Sequence, residues 1–376
     1  DAPILPDFNI RIDRLEISDL IIAAGVATDQ DEMLNLTART DVRDGFVELA
    51  ANGRIGIEDR IDLAMLAEPD GDLFDIDLDF YAPAGGVVSG LLGSDQGHSA
   101  RIIGDGTWSN WLGYALVKQG EDRLAALQLT NRSGQYGLLG EIDVGDGQST
   151  LIGRALGQET GVIANGTVED SVFAGTVQFR GSGLNLSGEG EVDLAENRFN
   201  SFAVDAKLID PKIFGADVLL RDATLQVELD GKFRNLQLEH QLTASELTIS
   251  DISARELRQE GMGRYDGEVW TIPLDLSVAQ IDTGVEQISD ELKRGSLSGA
   301  LTYSDGLVRI EPLVAKFPRA GARLALVFDP EQSDLRVRGP VNASGIVING
   351  IGTAQGNGNV EFAIRGSNSW TFRSSL

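Results

Sequence analysis

Asp75, Asp77 and Asp79, in the stretch DLFDIDLDFY at 72–81, are clustered carboxylates of the kind that could suggest a calcium site. Calcium takes clustered carboxylates, but residues two apart on a strand stand about 6.5–7 Å from each other. No DxDxDG loop with a distant glutamate converges them, so the spacing describes a solvated strand face. The two histidines, His98 and His240, have no cysteine, neighbouring histidine or GxSxG elbow beside them. Trp108 and Trp111, in GDGTWSNWLGY, lie three apart beside a glycine turn. Paired tryptophans of this kind rest at a membrane interface, stack on a sugar or, more commonly, pack over a sheet edge. SGEGEVD and GTAQGNGN are not phosphate loops, because no helix carrying Lys-Ser/Thr follows. These patterns predict no catalytic residue, no metal and no cofactor; the chain reads as something other than an enzyme.

The aspartates share their stretch with Phe74, Ile76, Leu78 and Phe80, which point the opposite way on a strand. One face is apolar and the other anionic. The same alternation recurs in Phe8, Ile10 and Ile12, and in Leu63 and Met65 after Ile61. It returns in Leu225 and Val227 before Leu229, and in Leu236 and Leu238, with which His240 is in phase. Ile272, Leu274, Leu276 and Val278 form a further row, as do Leu324, Leu326 and Phe328. Pro273 interrupts one of these strands and marks an edge, a bulge or a bend, because proline donates nothing to a ladder. The DG pairs Asp105-Gly106, Asp230-Gly231 and Asp305-Gly306, with Asn52-Gly53, read as hairpin turns. The fold class is all-β, mostly antiparallel.

Composition agrees. Hydrophobic residues make up 42% of 376, enough for a large buried surface, and the 45 glycines suit turns and bulges. Asp and Glu outnumber Lys and Arg by 58 to 31, a formal charge of -27 that repels phosphate backbones and argues against nucleic acid. With no cysteine there is no disulfide and no thiolate chemistry. No run approaches the ~18 apolar residues that span a bilayer. A start at Asp1 and an end in RSSL suggest a piece of a longer polypeptide, with its membrane anchor outside this fragment.

Two segments break the strand pattern. In GVEQISDELKR (284–294), Val285, Ile288 and Leu292 have helical spacing, Thr283 with Glu286 reads as a capping box, and Gly295 ends the helix. APAGGVVSGLLGSD (82–95) accommodates one or two helical turns. LEISDL at 15–20 echoes LTISDI at 247–252. The chain thus reads as one continuous β segment over 1–376, with repeat units at 1–155 and 200–376.

DIDLDFYAPAGGVVSGLLG, ARIIGDGTWSNWLGYAL, SELTISDISARELRQEGMGRYDGEVWTIPLDLSVAQI and GSLSGALTYSDGLVRIEPLVAKF resemble the TamB family, the inner-membrane-anchored subunit of the translocation and assembly module. That family belongs to the AsmA-like bridge-like lipid-transfer proteins. The resemblance implies an elongated, strongly curved sheet forming an open hydrophobic groove, a β-taco, in the periplasm. It implies transport of phospholipid between inner and outer membranes and support of outer-membrane biogenesis and protein secretion. An outer-membrane assembly protein of the Omp85 type is the implied partner.

An apolar sheet face is covered by a second sheet, closed into a barrel, or left for another apolar body. In the third case the rows above, from Phe8 to Phe328, line a lipid groove. A β-sandwich adhesin or stalk would bury the same rows in closed cores. A chaperone-like module would receive unfolded outer-membrane strands along a sheet edge.

Overall fold

The computed structural model describes residues 9–25, 29–43, 45–56, 58–92, 94–143, 151–330, 332, 334–348, 352–365 and 369–375. Phe8 lies outside them. The chain divides into two compact units, Asp1–Gly145 with Gln158–Phe179, and Asp146–Gly157 with Arg180–Leu376.

In the first unit β1 (Ile10–Ile22), β2 (Glu32–Arg43), β3 (Phe46–Ile55), β4 (Asp59–Glu68) and β5 (Leu73–Ala82) precede α1 (Val87–Leu91). Then come β6 (His98–Thr107), β7 (Asn110–Gln119), β8 (Asp122–Arg132) and β9 (Gln135–Ile142). After α2 (Leu151–Leu156), which belongs to the second unit, follow β10 (Thr160–Glu169) and β11 (Val172–Arg180). From β1 to β10 each strand pairs antiparallel with the next.

The second unit holds β12 (Leu184–Asp193), β13 (Arg198–Leu208), β14 (Val218–Arg221), β15 (Thr224–Lys232), β16 (Asn235–Ile249), β17 (Ile252–Tyr265) and β18 (Trp270–Asp282). Next are α3 (Glu286–Ser289), β19 (Lys293–Ser304), β20 (Leu307–Lys316), β21 (Ala320–Asp329), β22 (Asp334–Ile348), β23 (Gly352–Arg365) and β24 (Ser369–Ser375). Pairing again follows chain order, with one exception. β13 and β16 both pair with β15, and the short β14 pairs with the far end of β16. There Ala223, Ala244 and Leu257 form a small core against Leu208, Leu220, Leu247, Ala254 and Leu276.

The all-β antiparallel expectation holds, and the sheet is open rather than closed into a barrel. Within each unit the strands pack chiefly on their ladder neighbours. Hairpins close on residues with positive φ: Ser133-Gly134 at 53° and 83°, Asp170-Ser171 at 48° and 66°, Asp305-Gly306 at 51° and 74°. Only this last pair among the four anticipated turn dipeptides is a turn. Asn52-Gly53, Asp105-Gly106 and Asp230-Gly231 lie inside β3, β6 and β15. At Gly53 a Cβ would meet Ile61 and Leu36, both at 3.1 Å, so this glycine makes room for neighbouring side chains.

The helical inserts also differ in detail. α1 falls within the 82–95 segment, with its Val88 N–H donating to a buried Asp59 carboxylate at 3.1 Å. α3 is shorter than its pattern, and no side chain caps it. Thr283 turns away from capping because its N–H donates to Ser289 Oγ at 3.0 Å, while that hydroxyl donates to Asp282 at 3.1 Å. Gly295 does not end the helix; it sits in β19 opposite Val278, under the Phe317 ring. The two echoing hexapeptides occupy unlike places: Leu15–Leu20 lies within β1, whereas Leu247–Ile252 forms the β16–β17 turn.

Candidate functional site

Residues directly opposite in a ladder share a face, so register decides which rows belong together. Phe74, Ile76, Leu78 and Phe80 of β5 stand opposite Ala67, Met65, Leu63 and Ile61 of β4. Leu63 and Met65 in turn face Ala51 and Leu49 of β3. Through β2 the row reaches Ile10 and Ile12, opposite Val42 and Thr40. In the other direction it continues through Ile102 and Ala100, Ala115 and Val117, Leu127 and Leu129, and Leu138, to Val162 and Ala164. The β5 row is half-buried, while Ile10 at the outer strand is 46% exposed. The opposite face is polar at β2–β6. Arg39 pairs with Glu48, and Arg101 holds Asp77 at 3.2 Å and Asp79 at 2.9 Å. Asp77 and Asp79 therefore answer cross-strand arginines; such exposed pairs contribute only about 0–1 kcal/mol each.

Trp111 is not at a sheet edge. It is 9% exposed, its indole laid over Gly104 and Gly113 on the apolar face. Phe74 packs against it with ring centroids 4.9 Å apart and meets Trp108 edge-on at 5.3 Å. With Tyr136, Leu138 and Phe173 these rings wall a cavity of about 390 Å³. The Trp spacing alone did not reveal this; the signal was the pair of glycines, 104 and 113, that register sets opposite each other.

In the second unit Leu225 and Val227 face Leu242 and His240, and Leu229 and Gly231 face Leu238 and Leu236. Ile272, Leu274, Leu276 and Val278 face Leu301, Gly299, Leu297 and Gly295. Leu324, Leu326 and Phe328 face Leu313, Ile310 and Val308. The predicted rows are thus joined on one face within their unit, and Val337 and Phe362 extend them.

That face carries a polar break which the apolar rows did not announce. His240 and Gln259 are buried side by side, with their ring and amide nitrogens 3.2 Å apart. The β17–β18 ladder skips from Gln259–Leu276 to Arg264–Thr271, across Pro273. There the Gln259 amide stands in for a peptide group: Nε2 donates to the Pro273 carbonyl at 3.0 Å, and Oε1 accepts the Asp275 N–H at 2.8 Å. Pro273 lies in a strand paired on both sides, so it marks a ladder gap and not an edge.

Burial holds the His240 imidazole below its ordinary value of 6.5. The fold favours the neutral ring, so this contribution to stability is complete above about pH 6.5. It declines as pH falls from there through the depressed folded value. Melting temperatures measured between about pH 7.5 and 5 should fall less steeply in His240→Gln than in the parent. Equal slopes would remove His240 from the account.

No protein-family model and no curated protein matches this sequence.

Proposed function

We propose that the chain is a segment of a bridge-like lipid-transfer protein of the periplasm, whose apolar sheet faces form an open groove for phospholipid acyl chains. The observation that carries this reading is register. In each unit the apolar rows of successive strands join on one face, and the strands pack chiefly on their ladder neighbours. Burying a methylene against such a surface gains about 0.8 kcal/mol, so tails adhere while a headgroup stays in water. At β2–β6 the polar, ion-paired reverse face suits the aqueous side. The resemblance to the TamB family supplies the setting: an anchor elsewhere in a longer protein, and an outer-membrane assembly partner. Among the described residues no helix is long and apolar enough to cross a membrane.

Native mass spectrometry of the purified chain should find phospholipid bound. Leu78→Arg and Leu274→Glu should each lower bound lipid, and transfer of a fluorescent phospholipid between vesicles, about tenfold or more, since several methylene contacts are lost. Their circular dichroism should stay unchanged. Lipid loading and transfer equal to the parent in both variants would sink the reading, as would unfolding of both, because a sealed core does not tolerate a buried charge.

A further inference from the structure

We propose that the aromatic hollow of the first unit is a holding site for the hydrocarbon end of a single acyl chain. This rests on the lipid-carrying reading and narrows it from a face that binds tails anywhere to one saturable station. The hollow is walled by Phe74, Trp108, Trp111, Tyr136, Leu138 and Phe173, and its volume of about 390 Å³ is that of a small-ligand pocket. It opens on the same face as the β5 row, since Phe74 belongs to both.

Its chemistry selects the tail and not the headgroup. No Lys or Arg lines it, so no countercharge awaits a phosphate or carboxylate. Of its polar side chains, Asn131 is already engaged: Nδ2 donates to the Trp108 carbonyl at 2.5 Å and Oδ1 accepts the Gly134 N–H at 3.0 Å. The Trp111 indole N–H has no protein partner and is out of reach of water. The surface the walls present is overwhelmingly apolar, which suits a hydrocarbon and gives a charged headgroup little to replace its water. The indole lies flat on Gly104 and Gly113, and the Phe173 ring lies over Gly166 and Gly175. Laying rings on glycines opens a depth that side chains at those positions would fill.

The test uses a monoacylglycerol whose chain carries bromine at its middle, which quenches tryptophans it touches. Trp108 and Trp111 report on the hollow, and Trp270, in the second unit's apolar row, reports on that face. With Trp270 and Trp370 replaced by phenylalanine, so that only the hollow's two tryptophans remain, quenching should saturate at one molecule. Ala164→Phe projects a ring into the cavity without changing the tryptophan count. It should weaken that phase about tenfold or more, because each methylene displaced is worth roughly fourfold. Leu138→Phe serves as the second variant if Ala164→Phe fails to fold by circular dichroism. Exchanging the glycerol head for a choline phosphate should change the affinity less than removing four methylenes does. Unaltered quenching in both filled variants would overturn the station, while quenching of Trp270 in the intact chain would leave the groove reading standing. No quenching of any tryptophan would overturn both.

Discussion

Gly113→Ala should destabilise the first unit by about 1–3 kcal/mol, the range for forcing volume into a packed site. The sign is informative, because glycine inside a strand is normally about 0.5–1 kcal/mol worse than alanine. At Gly113 a Cβ would fall within the Trp111 indole, 2.6 Å from Cζ2 and 2.8 Å from Cζ3, and would also overlap Cη2. The ring cannot yield by a small rotation, since Gly104 supports its other part, with Cε2 2.7 Å from a Cβ built there. Trp111 would leave its seat, losing its contact with Phe74 and collapsing the cavity wall. Urea titration followed by tryptophan fluorescence should show an earlier midpoint and a red-shifted folded baseline. Gly356→Ala, in β23 with nothing within 4 Å, is the control and should be neutral or slightly stabilising. A later midpoint for Gly113→Ala would mean the indole is seated elsewhere.

Gln259→Leu should be among the most damaging single changes in the second unit, though leucine suits the surrounding row. It orphans the Asp275 N–H and the Pro273 carbonyl together. Each unsatisfied buried group costs about 1–3 kcal/mol, more than the added apolar contact returns. Amide hydrogen exchange makes the test local: Asp275 should lose protection while the Leu297–Ala315 pairing of β19 and β20 keeps its own. Gln259→Glu keeps the acceptor and loses the donors, so Asp275 should retain part of its protection. If exchange at Asp275 is the same in all three proteins, the carboxamide is not bridging the gap.

Period-two alternation made the strands legible from sequence, since Leu225, Val227 and Leu229 or Leu324, Leu326 and Phe328 suit nothing else so well. Register then assembled the rows without further signal. What stayed hidden came from residues with two uses. A glycine serves a turn by adopting positive φ and a strand face by leaving space. Gly306 does the first and Gly53 the second, and a preceding Asp or Asn does not separate them. The Gln259 bridge spans 14 positions to Pro273 and arises only from pairing, so a proline in a clean strand left edge, bulge and bend undecided. The capping box failed because Ser289 and Asp282 offered Thr283 a closer network than the helix end did.

Because nearly every strand pairs with its successor in the chain, no segment has to be threaded past another during folding. One hairpin can be inserted or deleted without re-routing the rest, and each adds about 9–10 Å across the strands. The width of each unit's sheet therefore becomes a heritable dimension, adjustable by duplication of roughly 20 residues at a time. A lineage could widen or narrow such a sheet by copying hairpins, leaving the chemistry of its surface untouched.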